Sequence, residues 1–134
     1  MAFKAVAKHA PVIVTVKFPA NPADQQMFVA DRDYRLLEVI EVHRVAGAAS
    51  STAMLEKCAS GVAPASGVDL LTAAFALDST VDVPVSKYGV GLTAGAALIP
   101  RGTAIALDVT GTLTSYVGTY TLVLKPVRVE NGLY

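Results

Sequence analysis

Residues 99–125, IPRGTAIALDVTGTLTSYVGTYTLVLK, decide the fold because apolar side chains recur at every second position in two successive runs. In the first run, Ile105, Leu107 and Val109 point to one face. Side chains alternate across a β-strand, so the pattern predicts two strands, each with one buried face. Gly111 tolerates positive φ and predicts a turn between them. The corresponding face of the second strand carries Tyr116, Gly118, Tyr120, Leu122 and Leu124.

The first half of the chain also contains short runs of strand-forming residues. Residues 11–18 (PVIVTVKF) are rich in β-branched side chains and predict a strand, and residues 26–30 predict a short one. Residues 34–45 (YRLLEVIEVHRV) fit either a helix or a strand. Their β-branched content favours the strand, with Leu37, Val39, Glu41 and His43 on one face. Residues 52–59 are then expected to pair with this strand as a hairpin.

The middle of the chain is less regular. Residues 68–77 (VDLLTAAFAL) predict one short helix or an irregular edge segment. Residues 80–85 (TVDVPV) predict a strand, which Pro84 places at the edge of a sheet because proline has no N–H to donate. We therefore expect an all-β protein: a single-domain β-sandwich or jelly roll over residues 1–134, of about eight short strands with at most one short helix. We expect residues 1–9 to form an N-terminal arm and residues 128–134 a C-terminal tail.

Composition excludes several classes of function. Charged residues make up only 16% of the 134 residues, against about 25% in typical domains. Eleven basic and eleven acidic residues give a formal net charge of zero, without the basic footprint of a nucleic-acid-binding protein. No apolar run approaches the length of about eighteen residues that a membrane span needs, and none suits a signal peptide. We expect no nucleic-acid or membrane partner, and synthesis in the cytoplasm. A surface this poor in charge is typical of a chain that contacts neighbours.

Residue patterns that carry chemistry are sparse. Glu41 and His43 lie on one strand face and are able to meet, but two ligands are too few for a metal site. Cys58 has no histidine nearby and fits a buried apolar role. Asp108 stands in an apolar strand, where a carboxyl accepting hydrogen bonds from a loop, or pairing with Arg101, is favoured over a catalytic acid. Tyr116 and Tyr120 share a face that suits core packing, subunit contact or sugar stacking. No enzyme, cofactor or metal is predicted.

From Val68 onward the chain resembles the small all-β decoration, or cement, proteins of tailed bacteriophage heads. The resemblance lies in three segments: LLTAAFAL (70–77), IPRGTAIALDVTGTLTS (99–115) and YTLVLKPV (120–127). It implies a jelly-roll-like fold and a place on the capsid exterior, bound to neighbouring subunits of the major capsid protein. It also implies self-association as a dimer or trimer on the shell. It carries over no catalytic residue.

On this hypothesis the two ends of the chain are contact arms, since terminal segments readily add to neighbouring sheets. Two alternatives stay open: a carbohydrate-binding β-sandwich that stacks sugars on its tyrosines, and a tail or baseplate adaptor. The residues predicted to contact the capsid or another subunit are Phe3, Lys4, Val6, Lys8, Tyr116, Tyr120, Leu133 and Tyr134.

Overall fold

The computed structural model describes residues 10–127, which form ten β-strands. Between these limits there is no α-helix, only 3-10 turns at Pro64–Ser66 and Gly89–Gly91. None of the helical segments described is long and apolar enough to cross a membrane. The strands are β1 (Val12–Phe18), β2 (Gln25–Val29), β3 (Tyr34–Val45), β4 (Thr52–Cys58), β5 (Val68–Asp69), β6 (Phe75–Ala76), β7 (Val85–Tyr88), β8 (Leu98–Ile99), β9 (Ala104–Thr110) and β10 (Val117–Pro126).

The strands form two antiparallel sheets packed face to face. Sheet A has the order β1-β10-β3-β7, with β8 also paired to β3. Sheet B has the order β2-β9-β4-β5, with β6 also paired to β4. The chain therefore pairs like one long hairpin, the first strand with the last and the second with the last but one, and successive pairs alternate between the sheets. This is a jelly roll, and it confirms the predicted fold class.

The two strands of residues 99–125 are confirmed, but they lie in opposite sheets. β9 pairs with β2 and β4 in sheet B, whereas β10 pairs with β1 and β3 in sheet A. Gly111, at φ +92°, begins the connection that crosses between the sheets. The predicted hairpin of residues 34–45 with 52–59 is wrong for the same reason, since β3 belongs to sheet A and β4 to sheet B. Alternation shows which face of a strand is buried, but it does not identify the strand's neighbours.

The preference for a strand over a helix in residues 34–45 is confirmed, with one change in its faces. Val39, Glu41 and His43 are buried as expected, but Leu37 is 36% exposed. Pairing with β10 shifts register between Leu36 and Glu38, so Leu37 is the extra residue of a β-bulge. The bulge turns Leu36 into the core in its place.

The less regular middle of the chain forms sheet edges. Of the two structures predicted for residues 68–77, the edge segment is the one found, as β5 and β6 on the edge of β4. The strand predicted at 80–85 is wrong in position: Asp82 adopts φ +59° in a turn. The strand β7 begins only at Val85, directly after Pro84, and lies at the edge of sheet A as expected.

The core lies between the sheets and draws on both. Leu122 and Leu124 of β10 face Leu55 of β4 and Leu107 of β9, all with at most 1% exposure. A second, smaller cluster lies on the far side of sheet B, where Cys58, Ala104 and Ala106 pack beneath Val62. Both faces of sheet B are thus buried at this end, which explains why β9 reads IAL without a polar residue.

Candidate functional site

Glu41 and His43 meet inside the sandwich, as their shared strand face predicts. Nδ1 of His43 lies 3.0 and 3.1 Å from the two carboxyl oxygens of Glu41. The Tyr116 hydroxyl donates to Glu41 Oε2 at 3.0 Å and also lies 3.0 Å from the Tyr120 hydroxyl oxygen. All four side chains have no exposed surface. They form a closed polar network at the inner face of sheet A.

The hydrogen-bond partners fix most of the protons in this network. Nε2 of His43 lies 3.0 Å from the carbonyl oxygen of Ser79, which only accepts, so Nε2 carries a proton. Burial raises the pKa of Glu41, opposed by its bonds to His43 and Tyr116. Burial also raises the pKa of Tyr116 and of Tyr120, so both phenols stay neutral. The network is satisfied internally and offers no open side to a substrate. Its role in the fold is to hold β3 against β10.

Gly118 makes the Tyr116 contact possible. A Cβ atom at Gly118 would lie 2.0 Å from the Tyr116 hydroxyl oxygen and 2.4 Å from Cζ. The tyrosine ring therefore folds across the glycine two residues ahead of it to reach Glu41. Glycine inside a strand is a sequence signal for such a close approach, and sequence analysis placed Gly118 on the tyrosine face without using that signal.

Four carboxyl groups gather on the outer face of sheet B, and we call them the acidic patch: Asp24, Glu56, Asp69 and Asp108. Glu56 and Asp69 are direct cross-strand partners on β4 and β5. Asp108 faces Asp24 and Asp69, not Arg101 as sequence analysis suggested, and burial together with these charges raises its pKa. Asp24 also accepts a hydrogen bond from the Val109 amide at 2.8 Å. Within residues 10–127, no three His, Cys, Asp or Glu side chains are grouped so as to hold a metal ion.

Glu56 is the buried member of the acidic patch. It is 2% exposed, and its Oε2 atom has no hydrogen-bond partner among the described residues. Burial, and then the neighbouring carboxyl groups of Asp69 and Asp108, raise the pKa of Glu56 to about 7. Two carboxyl groups side by side repel each other when both are ionised, so the Asp69 charge favours the protonated form of Glu56. Sequence analysis missed this pair because nothing in the sequence sets Asp69 opposite Glu56.

Cys58 is buried, as predicted. Burial, followed by the charge of Glu56, raises the pKa of its thiol. The Pro64–Ser66 turn packs over β4 and β9, and Gly67 lies so close that an added Cβ would be 2.7 Å from the Cys58 sulfur. The thiol is therefore covered and poorly nucleophilic.

The outer face of sheet A is broad and poor in charge. Its cross-strand rows run over β1, β10, β3 and β7. The middle row, Thr15–Thr121–Ile40–Ser86, has no charged residue, but Glu38 in the adjacent row accepts a hydrogen bond from Ser86, and Lys17 lies toward one end. A shallow depression of about 270 Å³ opens at the Lys17 end. The β-branched residues that make up most of the face are Ile13, Thr15, Ile40, Val42, Val117, Thr119, Thr121 and Val123.

The structure tests only part of the predicted contact set. Tyr116 and Tyr120 have no exposed surface, so the prediction that they contact the capsid or another subunit is wrong. The Tyr116 hydroxyl bonds to Glu41 and the Tyr120 hydroxyl to that of Tyr116, so the core role that the sequence left open is the one observed. The other predicted contacts lie outside the described residues: Phe3, Lys4, Val6, Lys8, Leu133 and Tyr134.

The fold places the chain among antiparallel jelly-roll β-sandwiches. A chain in the acidic stable capsid structure of Helicobacter pylori bacteriophage KHP30 is similar in fold, at a TM-score of 0.48 and 8% sequence identity. The match covers 87% of this chain and 89% of that one. No protein-family model and no curated protein sequence matches the chain.

Proposed function

We propose that this protein is a non-enzymatic structural component of a bacteriophage virion, a decoration protein that binds the outside of the head. There it stabilises contacts between subunits of the major capsid protein. The observation that carries the proposal is the outer face of sheet A, whose uncharged middle row crosses four strands. A sheet face of β-branched residues suits a broad protein surface better than a small ligand, which binds in a concave site.

The size of this face sets what it is able to bind. Seven residues in each of β1, β10 and β3 and the four residues of β7, at about 4.8 Å between strands and about 3.4 Å per residue, cover roughly 400 Å². A stable protein–protein interface takes about 800 Å² from each partner. One copy therefore supplies about half of a standard interface through this face. Repeated copies on a shell with several contacts each would add their binding through avidity.

The structure removes the support for carbohydrate binding, because the two tyrosines proposed to stack sugars are buried. A tail or baseplate adaptor would use the same outer face and differ only in its partner. Purified virions distinguish the two: a head decoration protein is recovered with DNA-filled heads that lack tails, and an adaptor is recovered only with tails.

Substitution on the outer face tests the proposal directly. Thr121→Glu puts a charge in the middle row, and Thr114→Glu makes the same change at an exposed residue in the loop before β10. We expect Thr121→Glu to lower the amount of protein bound per head several-fold, and Thr114→Glu to leave it unchanged. Heads without the protein should release DNA at a lower temperature than complete heads. Equal binding of both variants, or equal heat resistance with and without the protein, would contradict the proposal.

A further inference from the structure

The outer edge of β1 is open and unusually long. Within residues 10–127, β1 pairs on one side only, with β10, over seven consecutive residues without a register shift. The other sheet edges are guarded. β2 has a bulge between Gln26 and Phe28, β5 and β6 have two residues each, and β7 has four residues preceded by Pro84. Short strands, bulges and proline are the usual protections of an edge against a further strand. β1 is preceded by Pro11 and carries Lys17 near its end, but it is the longest of the edge strands and has neither a bulge nor a proline within its seven residues.

The core is also incompletely covered beside this edge. Val12, Val14 and Val16 face inward but stay half-buried, whereas the β10 residues paired with them are fully buried. On the outer side of the same strand, Ile13 is 67% exposed. An added strand would cover these valines and satisfy the free amide and carbonyl groups of β1.

We propose that the occupant is β1 of a second copy of this chain, paired antiparallel about a two-fold axis at Thr15. In this register all seven residues pair, Thr15 with Thr15 and Val14 with Val16 of the other copy. Lys17, the only charged residue of the strand, faces Ile13 and not itself. Like charges placed directly opposite destabilise a strand pair, so β1 is complementary to itself. The two sheets A become one continuous ten-stranded sheet, eight strands across because β7 and β8 pair with the same side of β3.

Two further observations favour a second copy. A tight hairpin that returns the preceding residues onto β1 of the same chain would place Ala10 and Pro11 in its turn. Both favoured two-residue turns need positive φ at the first position, which Ala10 would rarely adopt, and type I′ needs it also at Pro11, whose φ is fixed near −65°. The second argument is area and rests on the function proposed above. Joining two outer faces of sheet A gives roughly 800 Å², which matches what each partner contributes to a standard interface.

Cysteine cross-linking of the purified full-length protein tests the axis. Thr15→Cys places two thiols across adjacent strands, about 5 Å apart between Cα atoms, within the range for a disulfide. In the same dimer, Ile13→Cys and Thr121→Cys place theirs roughly 14 Å apart. The native Cys58 is buried and does not interfere. We expect a covalent dimer from Thr15→Cys only. No dimer from Thr15→Cys, or equal dimer from a control, would overturn the proposal.

Charge substitution tests the same register without a covalent bond. Ile13→Lys sets two lysines opposite each other at both ends of the strand pair, and Ile13→Glu sets a glutamate opposite Lys17. Both changes are at an exposed side chain. In sedimentation velocity we expect Ile13→Lys to weaken dimerisation about two- to thirtyfold and Ile13→Glu to strengthen it by a similar factor. A wild-type protein that stays monomeric, or equal effects of both variants, would refute the pairing. Both dimerisation assays use the purified protein without capsids, so they test the strand pairing alone. A protein that dimerises but does not bind heads would contradict only the proposed function.

Discussion

Replacing Glu56 with glutamine should stabilise the protein above pH 7 and leave it nearly unchanged at pH 5. Glu56 is buried opposite Asp69, and burial with the neighbouring carboxyl groups raises its pKa from 4.5 to about 7. The folded protein therefore keeps a proton that the unfolded chain releases. The contribution of Glu56 to the free energy of unfolding is therefore most favourable at pH 4.5 and below. It falls as the pH rises to about 7 and then levels off. The raised pKa of Asp108 acts in the same direction.

The size of the effect follows from the two pKa values. A rise from 4.5 to about 7 corresponds to a loss of at most about 3 kcal/mol between pH 4.5 and 8. Glutamine has the same shape, carries no charge at any pH and donates a hydrogen bond to Asp69 through its amide. At pH 8 the variant should exceed the wild type by about 2 kcal/mol, because it escapes most of that loss.

Urea unfolding followed by circular dichroism between pH 5 and 8 measures this difference. Glu38→Gln is the matched control, since it removes the same charge from the outer face of the opposite sheet. We expect the wild type and Glu38→Gln to lose stability in parallel as the pH rises, and Glu56→Gln to lose about 2 kcal/mol less, its residual loss coming from the raised pKa values of Asp108 and Glu41. If the wild type is equally stable at pH 5 and pH 8, the proposed proton on Glu56 does not exist. If Glu38→Gln loses as little stability with rising pH as Glu56→Gln does, the difference from the wild type comes from the overall charge of the protein and not from Glu56.

Three further predictions concern the core. Tyr116→Phe removes the hydroxyl that donates to buried Glu41 and should cost about 1–3 kcal/mol in urea unfolding; a loss below about 0.5 kcal/mol would contradict the network's role. Gly118→Ala should lower the free energy of unfolding by at least as much, because the new Cβ would collide with the Tyr116 hydroxyl. Gly91→Ala is the control, since its new Cβ would lie 3.4 Å from the nearest atom, at the distance of an ordinary van der Waals contact. The Cys58 thiol should react with Ellman's reagent only after unfolding, and reaction of the folded protein within seconds would show that the covering loop opens.

Sequence reasoning succeeded where one strand carries its own information. Alternating β-branched residues are enough to identify β1, β3 and β10, and the shared parity of Glu41 and His43 is enough to bring those side chains together. It failed where the answer depends on a partner distant in sequence. The pairing of Glu56 with Asp69 is set by the register of β4 on β5, and the separation of β9 from β10 by the wrapping of the whole chain.

Tyr116 and Tyr120 show the same limit of prediction from one strand alone. Their spacing predicts a shared strand face, but that face is as consistent with a surface platform as with a core. The acceptor of the Tyr116 hydroxyl is Glu41, on a strand more than seventy residues earlier, and the Tyr120 hydroxyl bonds to that of Tyr116. Gly118 was the local signal that the chain comes close to itself at this point.

The pairing of β1 with β10 also brings the two ends of the described chain close together. Val12 pairs with Leu124 on neighbouring antiparallel strands, so residues 10 and 127 emerge at one corner of sheet A. A donor dye at one of these positions and an acceptor dye at the other would be close together in the native protein and far apart once the chain unfolds. The same corner suits circular permutation: a short linker joins residues 10 and 127, and new ends are opened at Val90, which is 96% exposed.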